Sequence, residues 1–264
     1  IGFIGTGNMG GALARAAAKG GHTLLLANRT PAKAAALAKE LGGTVCPNAE
    51  AAETAELLFL GVKPQGLPGL AGELAPVLQA RKGNAPVVVS MATAVTLREL
   101  DAMLGGGLPL IRIMPNTPAA VGAGTILYAA QNVTDAQLNA FRAVLAQAGL
   151  LLPLPEAQID AASAISGCGP AFCFQFADAL ALGGVRAGLS YPDACRLAAQ
   201  TMLGAAEMLL QGGEAPDVLK MRVCSPAGTT IEGVLALEQG GFSYTVQNAV
   251  TAAYRRTVEM TRKG

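Results

Sequence analysis

The 264-residue chain has no tryptophan and a single histidine, His22, and only 4% of its residues are aromatic. Charged residues are also scarce, at 14% against a usual ~25%. Five cysteines (Cys46, Cys168, Cys173, Cys195, Cys224) are widely spread, with no Cys-x-x-Cys pair. One histidine and scattered thiols exclude the usual structural zinc sites, so no metal is expected. The cysteines read as small buried residues of a reducing cytosol, the expected location. Low charge would suit a disordered chain only with low apolar content, and here apolar residues are 52%. The net charge is +1, so no electrostatic footprint for nucleic acid or an acidic membrane is expected. Long uncharged runs such as residues 113–134 are broken by Pro115 and Pro118 and do not read as a membrane helix.

What is present is a chain of two characters. Apolar runs at residues 1–4, 23–27, 57–62, 86–90 and 110–114 lack polar alternation, as strands covered on both faces do. Helical segments at 12–19 and 31–41 separate the first of them. The pattern predicts an α/β fold with a doubly wound parallel sheet of the Rossmann type. A last strand at 150–155 is closed by Pro153 and Pro155. From about Gln158 onward no strand run occurs, and small apolar residues recur at helical spacing. The expected division is a nucleotide-binding domain over 1–155 and an all-helical domain over 156–264. The apolar helical half needs a surface to cover it, which points to a dimer.

Gly5, Thr6, Gly7, Asn8, Met9 and Gly10 form a G-x-G-x-x-G run after a strand and before a helix. In that context the first glycine makes the tight turn and the second admits a pyrophosphate. The third packs helix on strand, and the helix start offers N–H groups and positive dipole. An NAD site would place a carboxylate at the end of the second strand. Here Asn28, Arg29 and Thr30 stand instead, and Arg29 can pair with a 2′-phosphate. NADPH is therefore expected over NADH. Val62, Lys63 and Pro64, then residues 90–93, then residues 114–118 close strands at the sheet edge where ligands bind. Lys63 reads as a cofactor or loop contact rather than a catalytic acid. In the helical half, residues 166–171 and 225–230 combine small residues with a helix start able to hold a carboxylate. The expected site has no histidine and few carboxylates. Ketone reduction needs an acid, whereas a cyclic imine that arrives protonated is already electrophilic.

At these residues the chain resembles the pyrroline-5-carboxylate reductase family over essentially its whole length. The resemblance rests on residues 1–10, 62–64, 114–118, 166–171 and 225–230, followed by Ile231 and Glu238. It implies reduction of 1-pyrroline-5-carboxylate to L-proline with NAD(P)H, the last step of proline synthesis. It further implies a helical domain interleaved with a partner as a homodimer, in some members assembled into decamers. Carried over by position, residues 5–10 hold the pyrophosphate and Asn28, Arg29 and Thr30 the ribose phosphate. Asn48 reaches the adenosine ribose, and Val62, Lys63, Pro64, Met91 and Ala92 line the nicotinamide half. Ser225, Gly228, Thr229 and Thr230 bind the substrate carboxylate, and the Thr230 hydroxyl meets the ring nitrogen as the catalytic group. Three departures stand out: Cys168 for a usual Ser, Ala227 for a usual Gly, and Arg222 where Asn is common. Two other readings share the glycine run. A β-hydroxyacid dehydrogenase would want a catalytic lysine in the helical half, where Lys220 lacks the setting. A non-catalytic NADP-sensing protein would have no need of residues 225–230.

Overall fold

The computed structural model describes residues 1–261, so the end of the expected helical domain at residue 264 lies outside them. The elements run β1 (Gly2–Ile4), α1 (Asn8–Lys19), β2 (Leu25–Ala27), α2 (Pro31–Leu41), β3 (Thr44–Val45), α3 (Asn48–Thr54), β4 (Leu57–Leu60), α4 (Leu67–Ala80), β5 (Val87–Ser90), α5 (Leu97–Met103), β6 (Leu110–Pro115) and β7 (Gly124–Gln131). They continue with α6 (Asp135–Leu145), β8 (Gly149–Pro153), α7 (Glu156–Ser166), α8 (Gly169–Arg186), α9 (Tyr191–Gly212), α10 (Pro216–Val223), α11 (Thr229–Gln239) and α12 (Phe242–Thr261).

The eight strands form one sheet in the order β3-β2-β1-β4-β5-β6-β7-β8. All pairings are parallel except β6 with β7. The apolar runs are strands because helices cover both of their faces. Phe3, Phe59, Val89 and Ile111 point to one side, against Leu13 and Ala17 of α1 and Leu37 of α2. The Phe3 and Phe59 rings stack there at 4.5 Å. Ile4, Leu58, Leu60 and Val88 point to the other, against Leu67, Leu74 and Leu78 of α4. Each fully buried leucine contributes about 2 kcal/mol by removal from water. Helix ends follow local chemistry. Pro31 opens α2, and Gly42 closes it in the left-handed region at φ 71°. Thr96 with Glu99, and Thr134 with Gln137, make capping boxes for α5 and α6.

Three features depart from the sequence expectation. β3 is a two-residue edge strand, too short to leave a pattern. β7 was not expected, because its Gly124, Ala129 and Ala130 dilute the strand signal; it runs antiparallel beside β6. Helix α7 packs on the sheet through the fully buried Ile159.

The chain divides into two compact units: Ile1–Cys168 together with the chain from Ala253, and Gly169–Ala252. In the second unit α8 and α9 pack through small residues, with Ala181, Ala194 and Ala198 buried. Little else there is covered: Phe174, Leu210 and Tyr244 are 70%, 81% and 70% exposed. The cysteines reflect this contrast. Cys46 is buried as expected, but Cys168, Cys195 and Cys224 are only partly covered and Cys173 is exposed, so burial is not general to them.

Candidate active site

Strand register gathers the first set of residues. Ile4 lies level with Ala27 and with Leu60, and Leu60 with Ser90. The loops after β1, β2, β4 and β5 therefore leave the sheet side by side at one edge. β3 adds a fifth, since Leu26 lies level with Val45 and Asn48 follows. Residues 5–10, 28–30, 48, 62–64 and 91–92 thus share that edge, although the sequence spreads them over most of ninety positions.

The glycine run has the form the chemistry requires. Gly5 sits at φ +98°, and a side chain at Gly10 would strike the Gly5 carbonyl oxygen at 2.0 Å. Above Gly7 there is open space, with nothing within 4 Å of the position a Cβ would take. α1 begins at Asn8 behind Gly7 without a side-chain cap, so its first N–H groups face outward. The Thr6 hydroxyl is buried without a partner. A buried orphaned hydroxyl, a clear space and an uncapped helix start together fit a dinucleotide pyrophosphate. A feature not foreseen is Gly61, whose Cα packs against the Gly5 carbonyl closely enough to exclude any side chain.

Asn28, expected as a phosphate contact, makes two ties within the chain. Its Oδ1 accepts the Thr6 N–H at 3.0 Å and its Nδ2 donates to the Thr30 carbonyl at 3.0 Å. It ties the glycine loop to the start of α2 and keeps one N–H for a ligand. Arg29 and Thr30 are exposed beside it. Thr30 occupies the cap position of α2, yet its hydroxyl does not cap the helix and is left for another acceptor. Asn48 donates to Glu73 at 3.1 Å, which leaves its oxygen free to accept from a ribose hydroxyl. Val62, Pro64 and Met91 are half-buried and Lys63 is exposed. Ala92 is buried, with its N–H on the Ser90 hydroxyl at 3.3 Å, so it shapes the edge through backbone rather than side chain.

Residues 225–230 lie in the second unit. The Gly228 N–H donates to the Ser225 carbonyl at 3.0 Å. Pro226 follows Ser225, and Ala227 sits at φ 54°. Proline first and a positive φ second are the marks of a type II turn, which prefers glycine at the second place. The alanine therefore stands in a conformation that its Cβ disfavours. A side chain at Gly228 would collide with the Ser225 hydroxyl at 2.2 Å. α11 begins at Thr229 with Gly228 as an uncapped start. Among the described residues the Thr229 and Thr230 hydroxyls have no hydrogen-bond partner, so both are available beside the free N–H groups. Arg222, by contrast, is occupied: its Nη2 donates to Glu214 Oε1 at 2.6 Å. In the 166–171 segment the Ser166 hydroxyl turns back to the Ala162 carbonyl at 3.3 Å.

Residues 114–118, expected at the ligand edge, carry a structural clamp. Asn116 donates to the Ser166 carbonyl and accepts the Thr125 N–H, both at 2.8 Å, joining α7, β6 and β7. Buried Arg112 was missed altogether; a lone arginine in an apolar strand was the available signal.

Comparison with known proteins bears on both units. A family profile described as pyrroline-5-carboxylate reductase dimerisation matches residues 156–260. One described as NADP oxidoreductase, coenzyme F420-dependent, matches residues 1–94. Pyrroline-5-carboxylate reductase 3 of Macaca fascicularis is 35% identical over 268 residues, covering 100% of this chain and 96% of that protein. The pyrroline-5-carboxylate reductase of Synechocystis is 42% identical, covering 82% and 79%. Among solved structures, the Coxiella burnetii pyrroline-5-carboxylate reductase superposes with a TM-score of 0.90 at 32% identity, covering 98% and 97%. The Plasmodium falciparum pyrroline carboxylate reductase, solved with NADP bound, gives 0.86 at 30%, with the same coverage.

Proposed function

This chain belongs to the pyrroline-5-carboxylate reductase family, and from that premise we infer how its residues share the work. It is an NADP-dependent oxidoreductase that reduces 1-pyrroline-5-carboxylate to L-proline, the last step of proline biosynthesis. The observation that carries this is likeness along the whole chain, which takes in both the glycine run and residues 225–230.

NADPH, when bound, supplies the hydride. In our reading Gly5, Thr6, Gly7, Asn8, Met9 and Gly10 bind its pyrophosphate by backbone N–H groups. Arg29 and Thr30 hold the 2′-phosphate, Asn28 fixes the turn that presents them, and Asn48 accepts from the adenosine ribose. Val62, Lys63, Pro64, Met91 and Ala92 shape the edge for the nicotinamide half. Ser225, Gly228 and Thr229 offer the substrate carboxylate a hydroxyl and the start of α11. Thr230 accepts a hydrogen bond from the iminium N–H and orients the C=N bond. No general acid is required, because the hydride neutralises a carbon that the protonated nitrogen has already made electrophilic.

We place the nucleotide-binding region at 1–155 and the dimerisation and substrate region at 156–264. The helical region oligomerises. We propose a homodimer, with a decamer of such dimers as the higher assembly. Residues Glu156–Arg186 are apolar enough by length and composition to cross a membrane. We assign that surface to another copy of the chain, since α8 carries Asp178 and the stretch is broken between α7 and α8. A cytoplasmic enzyme without nucleic-acid or membrane partners fits the near-neutral charge. The test is NADPH oxidation followed at 340 nm with pyrroline-5-carboxylate, with proline measured as product. Turnover yielding proline is the expected result. NADPH binding without turnover would favour a sensor.

A further inference from the structure

Among the described residues Arg112 is the one buried charged side chain, 5% exposed, in the middle of β6. Its Nη2 donates to Asp160 Oδ1 at 2.6 Å, and its Nη1 to Glu156 Oε1 at 3.4 Å. Both carboxylates sit on the first two turns of α7. The same Glu156 oxygen accepts the Leu97 N–H at 2.6 Å. Leu97 is the first residue of α5, whose N–H has no partner inside its own helix. The capping box serves other groups: Thr96 Oγ1 accepts from the Glu99 N–H, and Glu99 Oε2 accepts from the Thr96 N–H at 2.7 Å. Glu156 therefore closes α5 from outside, across fifty-nine positions of sequence.

Between β5 and α5 runs the segment 91–96. Its start is fastened by the Met91 N–H on the Leu60 carbonyl at 3.3 Å and by the Ala92 N–H on Ser90. Its middle holds Ala94 at φ 62°, a conformation that persists in an L residue only when its surroundings impose it. Thr93 Oγ1 donates to Met114 Sδ at 4.0 Å, and the capping box fastens Thr96 to Glu99 within α5 itself. The hydrogen bond that ties the start of α5, and with it the far end of the segment, to another element is the Leu97 N–H on Glu156.

We propose that Glu156, oriented by Arg112, is a positioning residue that fixes segment 91–96 and with it the height of Met91 and Ala92 at the sheet edge. The proposal rests on the reading of that segment as the nicotinamide side. It has no part in the adenosine half, which is held by β1 and β2. Glu156→Gln and Glu156→Met test it, because both remove the charge and keep the volume, while only Gln can still accept the Leu97 N–H. Three readouts apply: hydrogen exchange of the 91–97 peptide without ligand, the Kd of NADPH, and the Kd of 2′,5′-ADP, which lacks the nicotinamide. The Gln variant should stay within about twofold of wild type throughout. The Met variant should exchange about tenfold faster in that peptide, bind NADPH about fivefold more weakly and lose about tenfold in kcat, as expected for one hydrogen bond. Its 2′,5′-ADP affinity should be unchanged. Met behaving as Gln would overturn the proposal. So would a Met variant that loses 2′,5′-ADP in step or fails to fold, since Glu156 would then serve stability alone. The reading beneath it is tested separately in wild type, where NADPH should slow exchange of the 91–97 peptide and 2′,5′-ADP should not. Faster exchange in the Met variant without that protection would keep the tie and discard the nicotinamide assignment.

Discussion

The two units of this chain solve the same problem with opposite means. In the sheet unit the central strands β1, β4, β5 and β6 are almost wholly buried, two clusters fill the space on either face, and only the edge strands β3 and β8 have no buried residue. Its glycine loop is packed within one chain, down to the close approach of Gly5, Gly10 and Gly61. In the helical unit a few alanines are buried while Phe174, Leu203, Leu210 and Tyr244 face outward. A monomer leaving so many large apolar side chains bare on one small unit would be unusual. On our proposal the difference teaches that the nucleotide loop is built within the single chain, whereas the helical unit is finished by association.

The largest effect should come from breaking that association. Leu203→Asp places a charge on the bare face of α9, and burying it unpaired should cost several kcal/mol. Analytical ultracentrifugation should then find monomer at micromolar concentration, with 2′,5′-ADP binding intact and turnover lost. An oligomer as stable as wild type would show that this face is not the interface. Next comes Thr230. Thr230→Ala and Thr230→Val should each lower kcat by about ten- to a thousand-fold, each tenfold being ~1.4 kcal/mol, while Thr230→Ser recovers much of the rate. NADPH affinity should hardly move. Wild-type kcat/KM in a folded Val variant would remove the hydroxyl from the mechanism and leave Thr229 as the next candidate.

Arg29→Ala probes the sheet unit alone. Loss of a charge-assisted contact of about 1.5–3 kcal/mol should weaken NADPH about ten- to a hundred-fold and leave NADH nearly unaffected. Equal losses for both cofactors would show that Arg29 does not read the phosphate. Ala227→Gly should stabilise the helical unit by about 0.5 kcal/mol, as relief of the positive φ outweighs the added freedom of the unfolded chain. An unchanged or lowered unfolding midpoint would contradict the strain assigned to that turn.

The smallest effect concerns Tyr191. Its hydroxyl donates to Asp178 at 2.8 Å, and that bond, with Cys195 adjacent, pushes the phenol from near 10 up to about 12. The folded state favours the neutral phenol. Its contribution is thus whole below pH 10 and is lost as pH rises through about 12. Absorbance titration at 295 nm should show a late-ionising phenol that Tyr191→Phe removes. If that variant instead lost a phenol titrating near 10, the Asp178 bond would not persist in solution.

Legibility in the sequence followed the same divide. Strands buried on both faces announce themselves as apolar runs, and the glycine run marks one sheet edge because a tight turn and close backbone approaches there admit only glycine. The roles of Asn28 and Asn116 as ties were not legible, since a side-chain amide gives no sign of which backbone groups it will join. β7 stayed hidden because small residues carry little strand preference. The Arg112, Glu156 and Leu97 contacts depend on the crossing of three elements distant in sequence, so only the fold brings them together. In the helical unit the apolar excess was legible as a need for a partner, but not which residues would meet it.

The contrast between a self-sufficient sheet unit and a helical unit finished by association can be put to one direct trial. Active-enzyme sedimentation measures the size of the species that oxidises NADPH in the presence of pyrroline-5-carboxylate. Turnover should travel as a dimer or a larger assembly, and specific activity should fall on dilution at the concentration where the assembly dissociates. A fully active species sedimenting as a compact monomer would contradict the account.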